Sequence, residues 1–211
     1  MVHYLFFIKR QRFQETRRLA DLVGCFFILV SIPILFFLTR VGGARLRDPY
    51  FYKEYRGLPL ALVESYAEKF WRKCGPRYEN TEVIELLRSY KTRNFTVVIV
   101  SGSLRPVVQA WNAVYALADD IISTELTCNG IRNLTGRIKG QPVVEEHKQE
   151  AIENYEHSRG LNIQTRICLS DSYEDLPLLN YATDPIVVNP GRRLRKHANK
   201  NGWKTITSAS T

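Results

Sequence analysis

The chain has 211 residues, of which 45% are hydrophobic and 24% charged, a balance that suits a folded domain and excludes a disordered or collagen-like chain. Lys and Arg outnumber Asp and Glu by 30 to 21, for a net charge of +9, so anionic partners are favoured. The basic residues run along the whole chain and no nucleic-acid module is visible, which leaves a phosphorylated small molecule or an anionic membrane surface, and no nucleic acid, as the expected partner.

Val2–Ile8 is apolar and ends at Lys9-Arg10, with Arg12, Arg17 and Arg18 close behind. The run Leu22–Leu38 is interrupted only by Gly24, Cys25, Ser31 and Pro33. As one helix it would reach about 26 Å at roughly 1.5 Å per residue, slightly short of a bilayer core, and Pro33 would kink it. Arg17 and Arg18 precede the run while Arg40, Arg45 and Arg47 follow it, so the flanking charge gives no orientation. No small-residue cleavage site follows, which argues against a signal peptide. A spanning helix, a kinked hairpin in one leaflet and a buried cap helix all remain open. Length predicts membrane contact through Leu19–Leu38, and the active-site core is expected in the cytoplasm.

Residues 42–57 read as a connector, followed by a helix to about Lys73 with Leu60, Val63, Ala67 and Phe70 on one face. Pro76 breaks it, and a second helix is expected over Glu79–Tyr90. Phe95–Val100 is a β-branched run of the buried-strand type. It leads into Ser101-Gly102-Ser103 and a helix to about Leu117. A strand ending in Ser-Gly-Ser at a helix N-terminus forms a phosphate seat, or else an ordinary capped turn. Asp120–Thr124 reads as a strand, and Leu126–Ile138, with Asn129-Gly130 at its tip, as a hairpin. A polar helix spans Glu145 to about Arg159. On it, Lys148 either neutralises a phosphate or lies on a solvated face, and His147 is expected at the surface.

Arg166–Leu179 is the most informative stretch. Ile167-Cys168-Leu169 ends a strand, Ser170-Asp171-Ser172 turns, and Leu176, Leu178 and Leu179 begin an apolar helix. Asp171 and Asp175 stand four residues apart, so one helical turn can aim both carboxylates at a point, where two hard oxygen donors suit Mg²⁺. The alternative makes Asp171 an N-cap paired with Glu174. Pro185–Val188 is a further strand, Asn189-Pro-Gly191 turns into a basic helix over Arg192–Lys200, and Gly202–Ile206 is a last short strand. Cys25, Cys74, Cys128 and Cys168 form no CxxC pair, so neither zinc nor a disulfide framework is indicated, and Cys25 and Cys168 read as buried thiols. Strand–helix alternation from Phe95 onward predicts an α/β fold with a doubly wound parallel sheet. Residues 1–93 would form a helical, apolar cap, with the apolar segment at 19–38, and residues 94–211 the α/β core.

Ser101 after a buried strand, Lys148 at a helix start, and Asp171 with Asp175 in Ser-Asp-Ser-x-x-Asp-Leu-Pro-Leu-Leu occur in a fixed order. That order resembles the haloacid dehalogenase-like hydrolases, and within them the phosphoserine phosphatase-like branch, near phosphatidylglycerophosphate phosphatase C-like proteins. Val188-Asn-Pro-Gly-Arg-Arg-Leu-Arg and Asn201-Gly-Trp203 are similar to that branch too. The resemblance covers about Gly57 to Ile206. It implies a Mg²⁺-dependent phosphatase acting on a lipid phosphate or a small phosphate ester. Ser101 and Gly102 would hold a phosphate oxygen, and Lys148 would hold the phosphate and the nucleophile's charge. Asp171 would ligate Mg²⁺, and Asp175 would support the metal shell or Lys148.

In that family a first strand ends in Asp-x-Asp-x-Thr, which provides the nucleophile and the general acid, and these 211 residues contain no such motif. Asp21, Asp48 and the Asp119-Asp120 pair all lie in the wrong context. Two explanations are open. The favoured one is that the chain is truncated and the motif lies upstream, with Tyr4–Arg18 as the cap helix that follows it. In the other, Val2–Ile8 fills the central strand and the protein is a non-catalytic phosphate-binding or membrane-interaction relative.

Overall fold

The computed structural model describes residues 2–16 and 52–207. The apolar run Leu22–Leu38, with the expected membrane segment 19–38, lies outside the described residues, and no described helix is long and apolar enough to cross a membrane. In chain order the described elements begin with α1 (Val2–Thr16), α2 (Leu60–Cys74), α3 (Thr81–Thr92), β1 (Val98–Leu104), α4 (Arg105–Tyr115) and β2 (Asp120–Thr124). They continue with β3 (Leu126–Cys128), β4 (Leu134–Ile138), α5 (Glu146–Ser158), β5 (Ile167–Ser170), α6 (Leu176–Tyr181), β6 (Asp184–Val188), α7 (Arg192–Lys200) and β7 (Lys204–Ile206). The chain forms two compact units that do not follow a single boundary at residue 93. One takes Met1–Glu79, Gly102–Ala116 and Ser123–Pro142, and the other Asn80–Ser101, Leu117–Ile122 and Val143–Thr211.

The first unit is organised by α1. Its buried residues Tyr4, Leu5, Phe7 and Ile8 follow helical spacing, and they join Val63, Tyr66, Ala67 and Phe70 of α2 in one core. The reading of Val2–Ile8 as a central strand is therefore corrected: a single stripe at three- and four-residue spacing is buried, whereas a strand would bury alternate residues. Leu5 and Ile8 are fully buried, which stabilises by roughly 2 kcal/mol each. The Tyr4 hydroxyl donates to the Val63 carbonyl at 2.5 Å, and Tyr66 to Glu15 at 2.5 Å, so both ends of α1 are tied to α2. Trp71 of α2 donates from Nε1 to the Val107 carbonyl of α4 at 2.8 Å. Strands β3 and β4 pair antiparallel as the expected hairpin.

The second unit holds the parallel strands β5-β6-β7, paired in that order. Ile186, Val187 and Val188 of the middle strand are buried, as a β-branched run covered on both faces should be. Strands β1 and β2 form a separate pair, whose residues up to Ser101 and Ile122 belong to this unit. Helix α5 touches both pieces: Tyr155 donates to Asp120 at the start of β2 at 2.7 Å, and Glu156 accepts from Arg166, just ahead of β5, at 2.7 Å. Within one unit, then, β1 and β5 each keep one edge without a strand partner among the described residues. That explains why Val98–Val100 and Ile167–Leu169, expected to be buried, are only half-buried.

Gly136 in β4 has φ +75°, and a Cβ there would lie 3.2 Å from the Lys53 Cα and 3.2 Å from the Tyr52 carbonyl oxygen. Both are backbone atoms, and neither can yield alone. Gly136→Ala is expected to lower stability by roughly 2 kcal/mol, read as a shift of the urea midpoint with an unchanged slope.

Candidate active site

The site grows from the end of β5. Ser170 closes that strand and is buried, and Asp171 follows at an exposed bend. Ser172 is extended, with φ −105° and ψ 137°, and its hydroxyl accepts from the Glu174 N–H. Ser172, not Asp171, is therefore the cap. A 3₁₀ turn over Tyr173–Asp175 then feeds α6, where Pro177 fits the first turn because no N–H is needed there.

This turn carries Asp175 inward, where it is 7% exposed. Its Oδ1 accepts from Lys148 Nζ at 2.6 Å, and its Oδ2 from the Ser170 hydroxyl at 2.7 Å. The Ser170 Oγ in turn accepts from the Ser172 N–H at 3.1 Å. Lys148 comes from the first turn of α5, and its side chain is 16% exposed. Lys148 and Asp175 are brought together as expected, and the solvated-face reading of Lys148 is set aside.

Asp171 and Asp175 were expected to face one cation; a bend and a 3₁₀ turn, not one helical turn, link them, Asp171 is exposed, and both Asp175 oxygens accept hydrogen bonds. No group of three or more His, Cys, Asp or Glu side chains that could hold a metal occurs among the described residues. Mg²⁺ often takes only one or two carboxylates and completes its shell with phosphate oxygens and water. Asp171 fits as one such ligand, but not as a protein-built cage. Ser101 and Gly102 do not form a turn at a helix N-terminus either. Strand β1 continues through them to Leu104, which is buried, and α4 starts only at Arg105. Ser101 is the last β1 residue of the second unit, whereas Gly102 belongs to the first, where its carbonyl accepts from the Tyr52 hydroxyl at 3.2 Å. His147 is half-buried beside Lys148.

A second cluster fixes α5 against β5. Arg166 donates to Glu156 from Nε at 2.9 Å and from Nη2 at 2.7 Å, and the Tyr181 hydroxyl donates to the same carboxylate at 2.9 Å. The Arg166 hydrogen bond, aided by Tyr181 and opposed by desolvation, holds the Glu156 carboxyl below its usual range. Burial pushes the Cys168 thiol up to about 12, with Asp175 raising it further and Lys148 opposing. Cys168 is thus a protonated structural thiol, half-buried and not fully so. Ser170, Glu156, Arg166 and Tyr181 were not singled out from the sequence. The nearest signal was an Arg placed directly before an apolar strand.

Residues 4–180 match the family of haloacid dehalogenase-like hydrolases, and the chain belongs to that family. It is 27% identical over 124 residues to a histidinol-phosphatase of Neisseria meningitidis, covering 57% of this chain and 55% of that protein. It spans about half the length of the curated relatives it matches. A protein of unknown function from Bordetella pertussis has the same fold with a TM-score of 0.82 at 20% identity, over 97% of this chain and 91% of that one. A probable phosphoserine phosphatase from Vibrio cholerae superposes with a TM-score of 0.66 at 14% identity, over 97% of this chain and 56% of that one. The haloacid dehalogenase-like family and an α/β core with parallel strands are thereby established.

Two outcomes are expected. Asp175→Ala strands the Lys148 ammonium in a site only 16% exposed and is expected to cost about 3 kcal/mol in urea unfolding. Glu156 has a depressed folded pKa, so its contribution is complete above the ordinary glutamate range and is lost as pH falls through the lower folded value. Glu156→Gln should therefore be less stable than wild type at neutral pH, and the two should converge in acid. Unfolding midpoints measured across that range would show it.

Proposed function

We propose that the protein hydrolyses phosphate monoesters of small molecules or of a lipid. The observation that carries this reading is the buried Lys148–Asp175–Ser170 chain set directly beside Asp171 at the carboxyl end of a parallel strand. An ammonium has three donors, and Asp175 uses one, which leaves two for phosphate oxygens. Asp175 keeps Lys148 aimed, and Ser170 keeps Asp175 from turning. Lys148 then offsets charge at the point where two anions must meet. Ser101, in β1 of the same unit, would donate its hydroxyl to a phosphate oxygen. Asp171 would supply one carboxylate to Mg²⁺, which when bound would polarise the phosphoryl group.

The attacking carboxylate is proposed to come from a segment outside these 211 residues, seated as a strand between the open edges of β1 and β5. Its oxygen would form a bond to phosphorus as the ester oxygen leaves, and a second acid would protonate the leaving alkoxide. Water would then release phosphate from the acyl phosphate. A second reading, a phosphate-binding protein without turnover, is favoured by the absence of Asp-x-Asp-x-Thr from the sequence.

The test uses the native protein, with its intact mass determined and its N-terminal peptide sequenced. Phosphate release from phosphoserine, histidinol phosphate and a lysophosphatidate is measured with Mg²⁺ and with chelator. Chelator-sensitive release is expected, and Lys148→Ala should lower kcat/KM by about a hundredfold or more. Saturable ester binding with no release would select the second reading, and neither binding nor release would defeat both.

A further inference from the structure

A strongly basic surface of the second unit has no part in the chemistry above. No carboxylate side chain follows Asp184 in the sequence, whereas Arg192, Arg193, Arg195, Lys196, Lys200 and Lys204 all do. In α7, Leu194 and Ala198 point inward, being 1% and 0% exposed. At about 100° per residue, Arg192, Lys196 and Lys200 fall on the opposite line of the helix, and all three are exposed. None of them takes part in an ion pair among the described residues.

This face does not help the helix to form. Like charges at four-residue spacing repel, and a cation in the first turn opposes the helix dipole. The face is nevertheless held in a fixed place. The Arg193 guanidinium lies 3.8 Å from the centre of the Tyr173 ring, and Tyr173 is two residues beyond Asp171. His197 meets Tyr173 edge-on at 6.4 Å and Trp203 at 5.0 Å between ring centres. An uncompensated cationic stripe is thus pinned beside the loop that carries Asp171.

We propose that the exposed face of α7 docks on an anionic phospholipid surface and so presents the Asp171 loop to it. Charge complementarity selects an anionic partner, and the apolar run Leu22–Leu38, present in the same chain, favours a bilayer over a nucleic acid. The stripe itself, Arg192, Lys196 and Lys200, contains no aromatic ring, unlike the stacking platforms that bind single strands. The inference does not depend on turnover.

The native protein is mixed with neutral phosphatidylcholine vesicles and with vesicles containing phosphatidylglycerol, at low and at high salt. The binding that depends on phosphatidylglycerol is attributed to charge; any binding common to both vesicle types is not. Each basic residue near such a surface is worth on the order of fivefold in partitioning, so R192Q/K196Q/K200Q should lose roughly a hundredfold of the anionic, salt-sensitive part. R72Q/K73Q/R77Q removes the same charge from exposed positions elsewhere and should retain most of it, and circular dichroism verifies that both variants fold. Equal binding to both vesicle types, equal losses in the two variants, or salt-sensitive binding to an oligonucleotide tighter than to the vesicles would each overturn the proposal.

Discussion

Asp175 has two carboxylate oxygens, and the site exists because both are used. One holds the Lys148 ammonium and the other the Ser170 hydroxyl, so a helix start, a strand end and a 3₁₀ turn meet at a single buried group. A buried carboxylate is costly without partners, and here an ammonium and a hydroxyl supply them. The same arrangement leaves Asp171 exposed, as Glu174 is, while Asp175 is buried. Two aspartates four residues apart thus lie in opposite environments.

The scaffold around this group is specified by non-local contacts. Helix α5 carries Lys148 at one end and Glu156 near the other, and Glu156 is gripped by Arg166 and Tyr181 on either side of the Asp171 turn. Tyr155, next to Glu156, holds Asp120 at the start of β2. One helix therefore sets the position of the ammonium relative to both strand pieces.

Much of the core was legible because its signals are local. β-branched runs bounded by Gly, Pro or Asn marked β1 and β6, and Asn129-Gly130 marked the hairpin. The basic helix was read with its observed limits, Arg192–Lys200, since a turn ahead of it and an Asn-Gly pair behind it bracket the pattern. The Lys148–Asp175 pairing was suggested by family resemblance, because 27 residues separate the partners and no local pattern links them. Ser101 and Gly102 were misplaced in a turn because strand pairing, not residue type, decides how far β1 extends. Val2–Ile8 offered both a strand and a helix reading, and packing against α2 selected the helix. Glu156, Arg166 and Tyr181 were missed since nothing in their spacing distinguishes a buried network from surface charge.

The edges of β1 and β5 that have no strand partner among the described residues carry a consequence for handling the protein. Neither Val98–Val100 nor Ile167–Leu169 contains a proline or a charged residue, the usual guards against edge-to-edge pairing. Two such apolar edges in one molecule give each copy a donor row and an acceptor row for its neighbours. Wherever such an edge is left uncovered it favours intermolecular sheet, so solubility that falls steeply with concentration would report on how well these edges are covered.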